Sequence, residues 1–205
     1  YQVSGAFGYR DQLQDAMNIV MVNPEYTKKQ ILRNAKHQFE EGDVLHWWHE
    51  KNHFGLRSRY KDDFLWLVYA TTHYVENTGD YSILTEKVPY VVGDVLSDYE
   101  HEKGMVFSYS EKEDTLLEHC LKSLKLSMKS LGKHKLPLMG GGDWNDGMNR
   151  VGIKGKGESV WLGFFLYNVI DLFMEMMKKY DKDFELKSYQ EFNDKLAENL
   201  NKKAW

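Results

Sequence analysis

The feature that most limits how this chain can fold is the run Val160–Tyr180, apolar over most of its length and preceded by Ser159. Serine immediately before an apolar run is a helix N-cap signal. Gly163, Asn168, Asp171 and Glu175 interrupt the run, so it stays short of the roughly eighteen unbroken apolar residues of a membrane-spanning segment. A helix this apolar must be covered by other helices. Phe64–Asn77 reads the same way, apolar on most sides in its first two turns, with Asp62 and Asp63 placed where a helix N-terminus favours negative charge and Gly79-Asp80 closing it.

The rest of the chain reads as helix and loop. Leu13, Met17 and Val20 share a face in a helix over Asp11–Met21. Pro24 suits the first turn of a second helix reaching about Phe39, with Gly42 closing it. Residues 43–61 read as a loop rich in His, Trp and Arg, and 81–110 as irregular. Ser110 and Glu113 read as a capping region before a helix over Asp114–Leu131, with Gly132 at its C′ position. Residues 133–158 form a glycine-rich loop, and a last amphipathic helix spans about Ser188–Lys202. The expectation is therefore an all-α protein, about six helices joined by long loops, in one domain over 1–205. No repeat of about 30 to 47 residues supports a solenoid.

Charge and cysteine content exclude several functions. The net charge is −4 without a basic stripe interleaved with aromatics, which disfavours a nucleic-acid partner. Cys120 is the only cysteine, so it forms neither an intrachain disulfide nor a cysteine zinc site. That composition fits a reducing, cytoplasmic setting. The chain opens at Tyr1 rather than Met, which suggests a piece of a longer polypeptide.

Three clusters carry candidate chemistry. The first is Gly140-Gly141-Gly142-Asp143-Trp144-Asn145-Asp146-Gly147. Consecutive glycines admit close backbone approach to a ligand. A phosphate-binding P-loop would need Lys-Ser/Thr after the glycines, and an EF-hand would need glycine where Met148 stands. Two readings remain: a ligand-approaching loop, or a tight turn closed by its own Asp and Asn side chains. The second cluster, Tyr9 to Asp15, sets Arg10 and Asp11 at a helix start, able to grip hydroxyls or a phosphate, or simply solvated there. The third joins His46-Trp47-Trp48-His49 to Arg57, Arg59 and Asp63. A metal would need a third ligand, and none follows at a suitable spacing, so no metal is expected. Sugar stacking and packing under a loop are the alternatives for the tryptophans. Gly-x-Ser-x-Gly is missing, and Cys120 lies mid-helix, so a nucleophilic triad has no support.

Four strings in this order, YRDQLQD (9–15), HWWH (46–49), RSRYKDDFLWL (57–67) and GGGDWNDGMNRVG (140–152), resemble glycoside hydrolase family 94, the cellobiose, chitobiose and laminaribiose phosphorylases once classed as glycosyltransferase family 36. The continuation GKGESVWLGFFLY (155–167) resembles the phosphorylase-like domain of cyclic β-1,2-glucan synthases, with 1,2-β-oligoglucan phosphorylases as near relatives. The resemblance implies the N-terminal half of an (α/α)6 barrel. It implies inverting phosphorolysis of β-linked gluco-oligosaccharides to α-glucose 1-phosphate, with inorganic phosphate as co-substrate and no cofactor.

It further implies Asp146 as the general acid, in a partly dry setting. Trp144, Asn145 and Asp143 would shape a sugar subsite, with Arg10 and Asp11 binding the glucosyl unit. Arg57, Arg59 and Asp63 are assigned to substrate binding by inference alongside them. A further Arg found ahead of the Arg-Asp pair in cellobiose-type members is missing from Gln2–Gly8, which points toward the β-1,2-glucan branch. The expected partners are a β-glucan oligosaccharide and phosphate, without direct membrane contact from this segment, and either a homodimer or the missing half of the barrel. Two alternatives stand beside phosphorolysis: a glucan-synthase domain controlling chain length, and a non-catalytic carbohydrate-binding fragment.

Overall fold

A computed structural model describes residues 4–204, so Gln2 and Val3 of the stretch lacking an arginine lie outside the described residues. In chain order the elements are β1 (Phe7–Gly8), α1 (Tyr9–Asn18), α2 (Pro24–Ala35), β2 (Leu45–His49), β3 (Phe54–Ser58), α3 (Asp63–Thr78), β4 (Lys87–Val92), β5 (Glu102–Val106), β6 (Ser108–Thr115), α4 (Leu116–Lys129), α5 (Val160–Tyr180) and α6 (Lys187–Lys203). The expectation of an all-α fold is wrong. Six helices are present among the described residues, but so are two antiparallel sheets, and the fold is mixed α/β.

The four-stranded sheet has the order β1-β2-β3-β5, and β4 pairs with β6 in the second. Both arise from segments that read as loop. HWWH pairs with FGLRS, Trp48 opposite Gly55 and His49 opposite Phe54, and the register slips between Leu45 and Trp47. That bulge breaks the period-two alternation by which a half-buried strand is recognised. In β6, SYSEKEDT is largely solvent-facing and carries no apolar alternation to read. Because Ser110 and Glu113 lie within β6, the cap of α4 is Thr115, whose hydroxyl accepts from the Glu118 amide at 3.2 Å. The helix ends at Lys129 with Ser130 as its C-cap, rather than at Leu131 with Gly132 beyond it.

The helices follow the apolar pattern. α3 is buried on almost every side, as its composition requires, and packs against α1, α2, α4 and α5. Phe64, Leu65, Leu67 and Val68 are each at most 2% exposed, and each such burial contributes roughly 1.5–3 kcal/mol. Gly79 closes α3 in the left-handed conformation at φ 68°, the C-terminal signature of glycine. α5 keeps its predicted bounds and its Ser159 cap, accepting from the Leu162 amide at 3.0 Å. By length and composition alone α5 could cross a bilayer, yet half of its most apolar stretch is buried inside the protein.

Candidate active site

The site grows from the start of α1. Arg10 is buried on the inner face of that helix, and its guanidinium reaches two other segments. One terminal nitrogen donates to both oxygens of Asp62, at 3.3 and 3.2 Å, and to the Asp143 carbonyl at 3.0 Å. The other donates to Asp146 Oδ1 at 2.5 Å. One cation thus ties the mouth of α3 to the glycine-rich loop. Burial disfavours its charge, but Asp62, Asp63 and Asp146 more than offset this and raise its pKa above the usual arginine value.

Asp62 and Asp63, side by side, are both fully buried. Asp62 accepts from the Trp66 indole at 3.1 Å as well as from Arg10. Burial first, then the neighbouring Asp63 charge, raise its pKa from the carboxylate range. Asp63 accepts from His46 Nδ1 at 2.7 Å, and the His46 ring stacks on Tyr60 at 4.4 Å. Burial opposes a charge on His46, but Asp63 outweighs it and the imidazole pKa is raised. Two buried carboxylates and the exposed Asp146 therefore gather around one arginine, with one polarised imidazole at their edge.

The glycine-rich loop reaches this cluster because it lies flat against residues 59–61. The Gly141 amide donates to the Arg59 carbonyl at 2.9 Å, and the Lys61 amide to the Gly142 carbonyl at 3.0 Å. Gly140 has φ 64° and a Cβ there would strike the Arg59 carbonyl oxygen, so this approach requires glycine. Beyond the glycines the loop is closed by its own side chains. Asp143 Oδ1 accepts from the Asn145 amide at 2.9 Å, and Asn145 Oδ1 accepts from the Gly147 amide at 3.0 Å. Asp143 Oδ2 accepts from the Ser159 hydroxyl at 2.7 Å, fastening the loop to the N-cap of α5. Asx turns fold the loop, as the second reading expected, and they hold Asp146 and Trp144 at its exposed tip.

Asp146 is 55% exposed in its side chain, so within this chain it stands in the open rather than in the partly dry setting expected for it. Trp144 is 52% exposed, anchored by its indole N–H to Gln14 Oε1 at 3.2 Å, which leaves ring surface free. Asp143 is buried and positions the loop, while Asn145 is exposed and closes its turn. Asp11, about 100° around the helix from Arg10, is exposed, its carboxylate lying over the Gly8 Cα.

Of the other residues assigned to substrate binding, Asp63 sits within this buried cluster, and Arg57 and Arg59 lie apart from it. Asp63 is only 1% exposed and committed to His46. Arg57 is 2% exposed, grips Asp43 through two bonds of 2.7 Å each and Glu41 at 3.1 Å, and lies 3.7 Å above the Phe39 ring. Arg59 donates to the carbonyls of Glu100 and Ser97. Of the tryptophans, Trp48 is fully buried and stacks on His37 at 3.9 Å, which makes it core rather than sugar platform. Sequence reasoning missed Asp62 and His46 as partners of this site. The doubled carboxylate just ahead of an apolar helix was the available signal, since two such groups cannot both be buried without cations.

Residues 1–205 match the catalytic domain of the glycosyl hydrolase 94 superfamily. The chain belongs to this family. Among curated relatives of this family 94 chain, it is 45% identical to the cyclic β-(1,2)-glucan synthase NdvB of Rhizobium meliloti over 85% of its length, which is 6% of that protein. It is 32% identical to solabiose phosphorylase of Paenibacillus borealis over 97% of its length and 23% of that enzyme. A 1,2-β-oligoglucan phosphorylase of Listeria innocua is 27% identical over 71% of the chain and 13% of its own length. The family 94 chain thus spans at most about a quarter of these relatives, and it is a phosphorylase-like domain segment related both to phosphorylases and to a cyclic glucan synthase.

Proposed function

We propose that the protein containing this chain carries out inverting phosphorolysis of β-linked gluco-oligosaccharides, and that this segment supplies its proton donor and part of the glucosyl subsite. The observation that carries the proposal is the meeting of Arg10 and Asp146 beside the open face of Trp144. In the proposed step the Asp146 carboxyl gives its proton to the glycosidic oxygen as the C1–O bond breaks. An oxygen of inorganic phosphate forms the new bond to C1 from the opposite face, giving α-glucose 1-phosphate and the shortened glucan. Phosphate is itself the nucleophile, so no second carboxylate is needed to activate water, in contrast to an inverting hydrolase. Trp144 offers an aromatic face to a sugar ring. Arg10, held by Asp62, donates to Asp146 Oδ1 and so fixes the carboxyl, leaving Oδ2 to carry the proton that is transferred. Remaining walls of the site come from other parts of the polypeptide.

The stronger likeness to the glucan synthase supports a second setting for the same chemistry, a domain that trims or limits β-1,2-glucan chains. The test is phosphate-dependent release of glucose 1-phosphate by the full-length protein from sophoro-oligosaccharides and from cellobiose, with Asp146→Asn alongside. Release that requires phosphate and disappears in the variant supports the proposal, and the preferred sugar selects the branch. No release from either sugar overturns it in favour of carbohydrate binding without catalysis.

A further inference from the structure

The far side of the glycine-rich loop borders a cavity of about 420 Å³, which none of Arg10, Trp144 or Asp146 lines. Its walls include Arg59, Lys61, Ser130, His101 and Lys154, with the backbone of Gly140 and Gly152. The charges here are unbalanced. Among the described residues neither Arg59, Lys61 nor Lys154 has a carboxylate within ion-pair distance. Arg59 uses Nε and one terminal nitrogen on the Glu100 and Ser97 carbonyls, which carry no charge to match it. Asp43, on the other side of Lys61, is committed to Arg57, and Asp98 is the one carboxylate on the cavity wall.

Lys61 is the telling residue. Its aliphatic stem lies across Gly140, where a Cβ would meet Cε at 2.9 Å and Cγ at 3.0 Å. Burial, followed by repulsion from Arg59, lowers its ammonium pKa below the usual lysine range, with Asp43 opposing weakly. Two cations held together without a counter-ion are stabilised by an anion between them. The remaining terminal nitrogen of Arg59 and the point charge of Lys61 are the donors left to meet the oxygens of a phosphate group.

We infer that this cavity is a separate anion site that takes a phosphate group at the base of the loop carrying Asp146. The inference does not rest on the proposed reaction. Free inorganic phosphate and the phosphate of a glycosyl phosphate present the same chemistry, and the experiment separates them.

The full-length protein is pulse-labelled with acetic anhydride, and acetylation of Lys61 is quantified by mass spectrometry without added anion, with inorganic phosphate, and with glucose 1-phosphate. The exposed Lys187 serves as the reference. Phosphate is expected to slow Lys61 acetylation about tenfold, because raising an amine pKa by one unit cuts its free-base fraction about tenfold. Protection by glucose 1-phosphate alone identifies the ester as ligand, and protection by both identifies the phosphate group. Protection should survive in Asp146→Asn and weaken in Arg59→Gln. Since Arg59 also ties down residues 97–100, the exposed Lys154→Gln gives a second variant with the same expectation. Equilibrium dialysis of labelled phosphate against Lys61→Gln should show one fewer bound phosphate per chain. No protection by either anion, protection lost only in Asp146→Asn, or full phosphate binding by Lys61→Gln would each overturn the inference.

Discussion

Arg10 and Asp146 stand 136 positions apart in sequence and meet at 2.5 Å. The contact draws the tip of an exposed loop onto a buried guanidinium whose other terminal nitrogen holds Asp62. Most of the energetic consequence lies on the buried side, because only Asp146 retains solvent.

Replacing Arg10 by Met should therefore destabilise the protein strongly. Asp62 would be left as an unpaired buried carboxylate, a loss of about 3–5 kcal/mol by analogy with other broken buried pairs. Chemical denaturation of the full-length variant measures this, and a shift below about 1 kcal/mol would show that the buried pair carries little stability.

Asp146→Asn should behave in the opposite way. Its carboxylate is more than half exposed, so the melting temperature should change little. Turnover should fall by about two to four orders of magnitude, the range for a lost general acid. A variant that melts many degrees lower while keeping its turnover would reverse the roles assigned to these two residues.

Arg57→Met should cost stability without altering sugar affinity in proportion. The guanidinium is buried against Asp43, Glu41 and the Phe39 ring, and removing it strands Asp43. A loss of about 3 kcal/mol with a KM within about threefold of wild type is expected. A large KM rise at unchanged stability would restore Arg57 to the substrate site.

Ser159→Ala removes the α5 cap and the partner of Asp143 together. A loss of about 1–2 kcal/mol is expected from the cap. Hydrogen exchange of residues 143–148 should accelerate, since Asp143 is freed at one end; unchanged exchange there would show that the Arg10 contacts alone hold the loop.

Acid should weaken the fold through His37 and His119. Burial lowers both pKa values to about 4, against about 6.5 in an unfolded chain. Between those values the unfolded state binds more protons, so stability falls as pH drops from about 6.5 toward about 4. His46 and Asp62 act oppositely. Their pKa values are raised, so the stability they contribute is present at lower pH and lost as pH rises through their folded values. His119 Nε2 hydrogen-bonds the Val88 carbonyl and its ring stacks on Tyr90 at 4.2 Å, so His119→Gln preserves a donor while removing the titration. The gap between urea midpoints at about pH 7 and pH 4.5 should narrow in that variant. An unchanged gap would assign the acid limb to other groups.

Sequence by itself determined the elements whose stability is local or whose pattern is one-sided. The bounds of α5, its Ser159 cap and the closure of α3 at Gly79 follow from apolar runs, a hydroxyl and a glycine, all of which act within a few residues. The string around Asp146 was equally legible, because three glycines and alternating Asp and Asn dictate a tight loop whatever surrounds it. Tertiary structure decided the sheets, since β2 and β3 form a bulged hairpin completed by the distant β1 and β5, and β6 pairs with β4 through a polar pattern that gives no alternation. It also decided which charged residues face the loop and which hold the core. Arg10, Arg57 and Arg59 look alike in sequence, and only long-range packing sends one to Asp146, one to Asp43 and one to the carbonyls of a neighbouring loop. A charge is placed by what it can be paired with once buried, and pairing across a hundred residues is not written in local spacing.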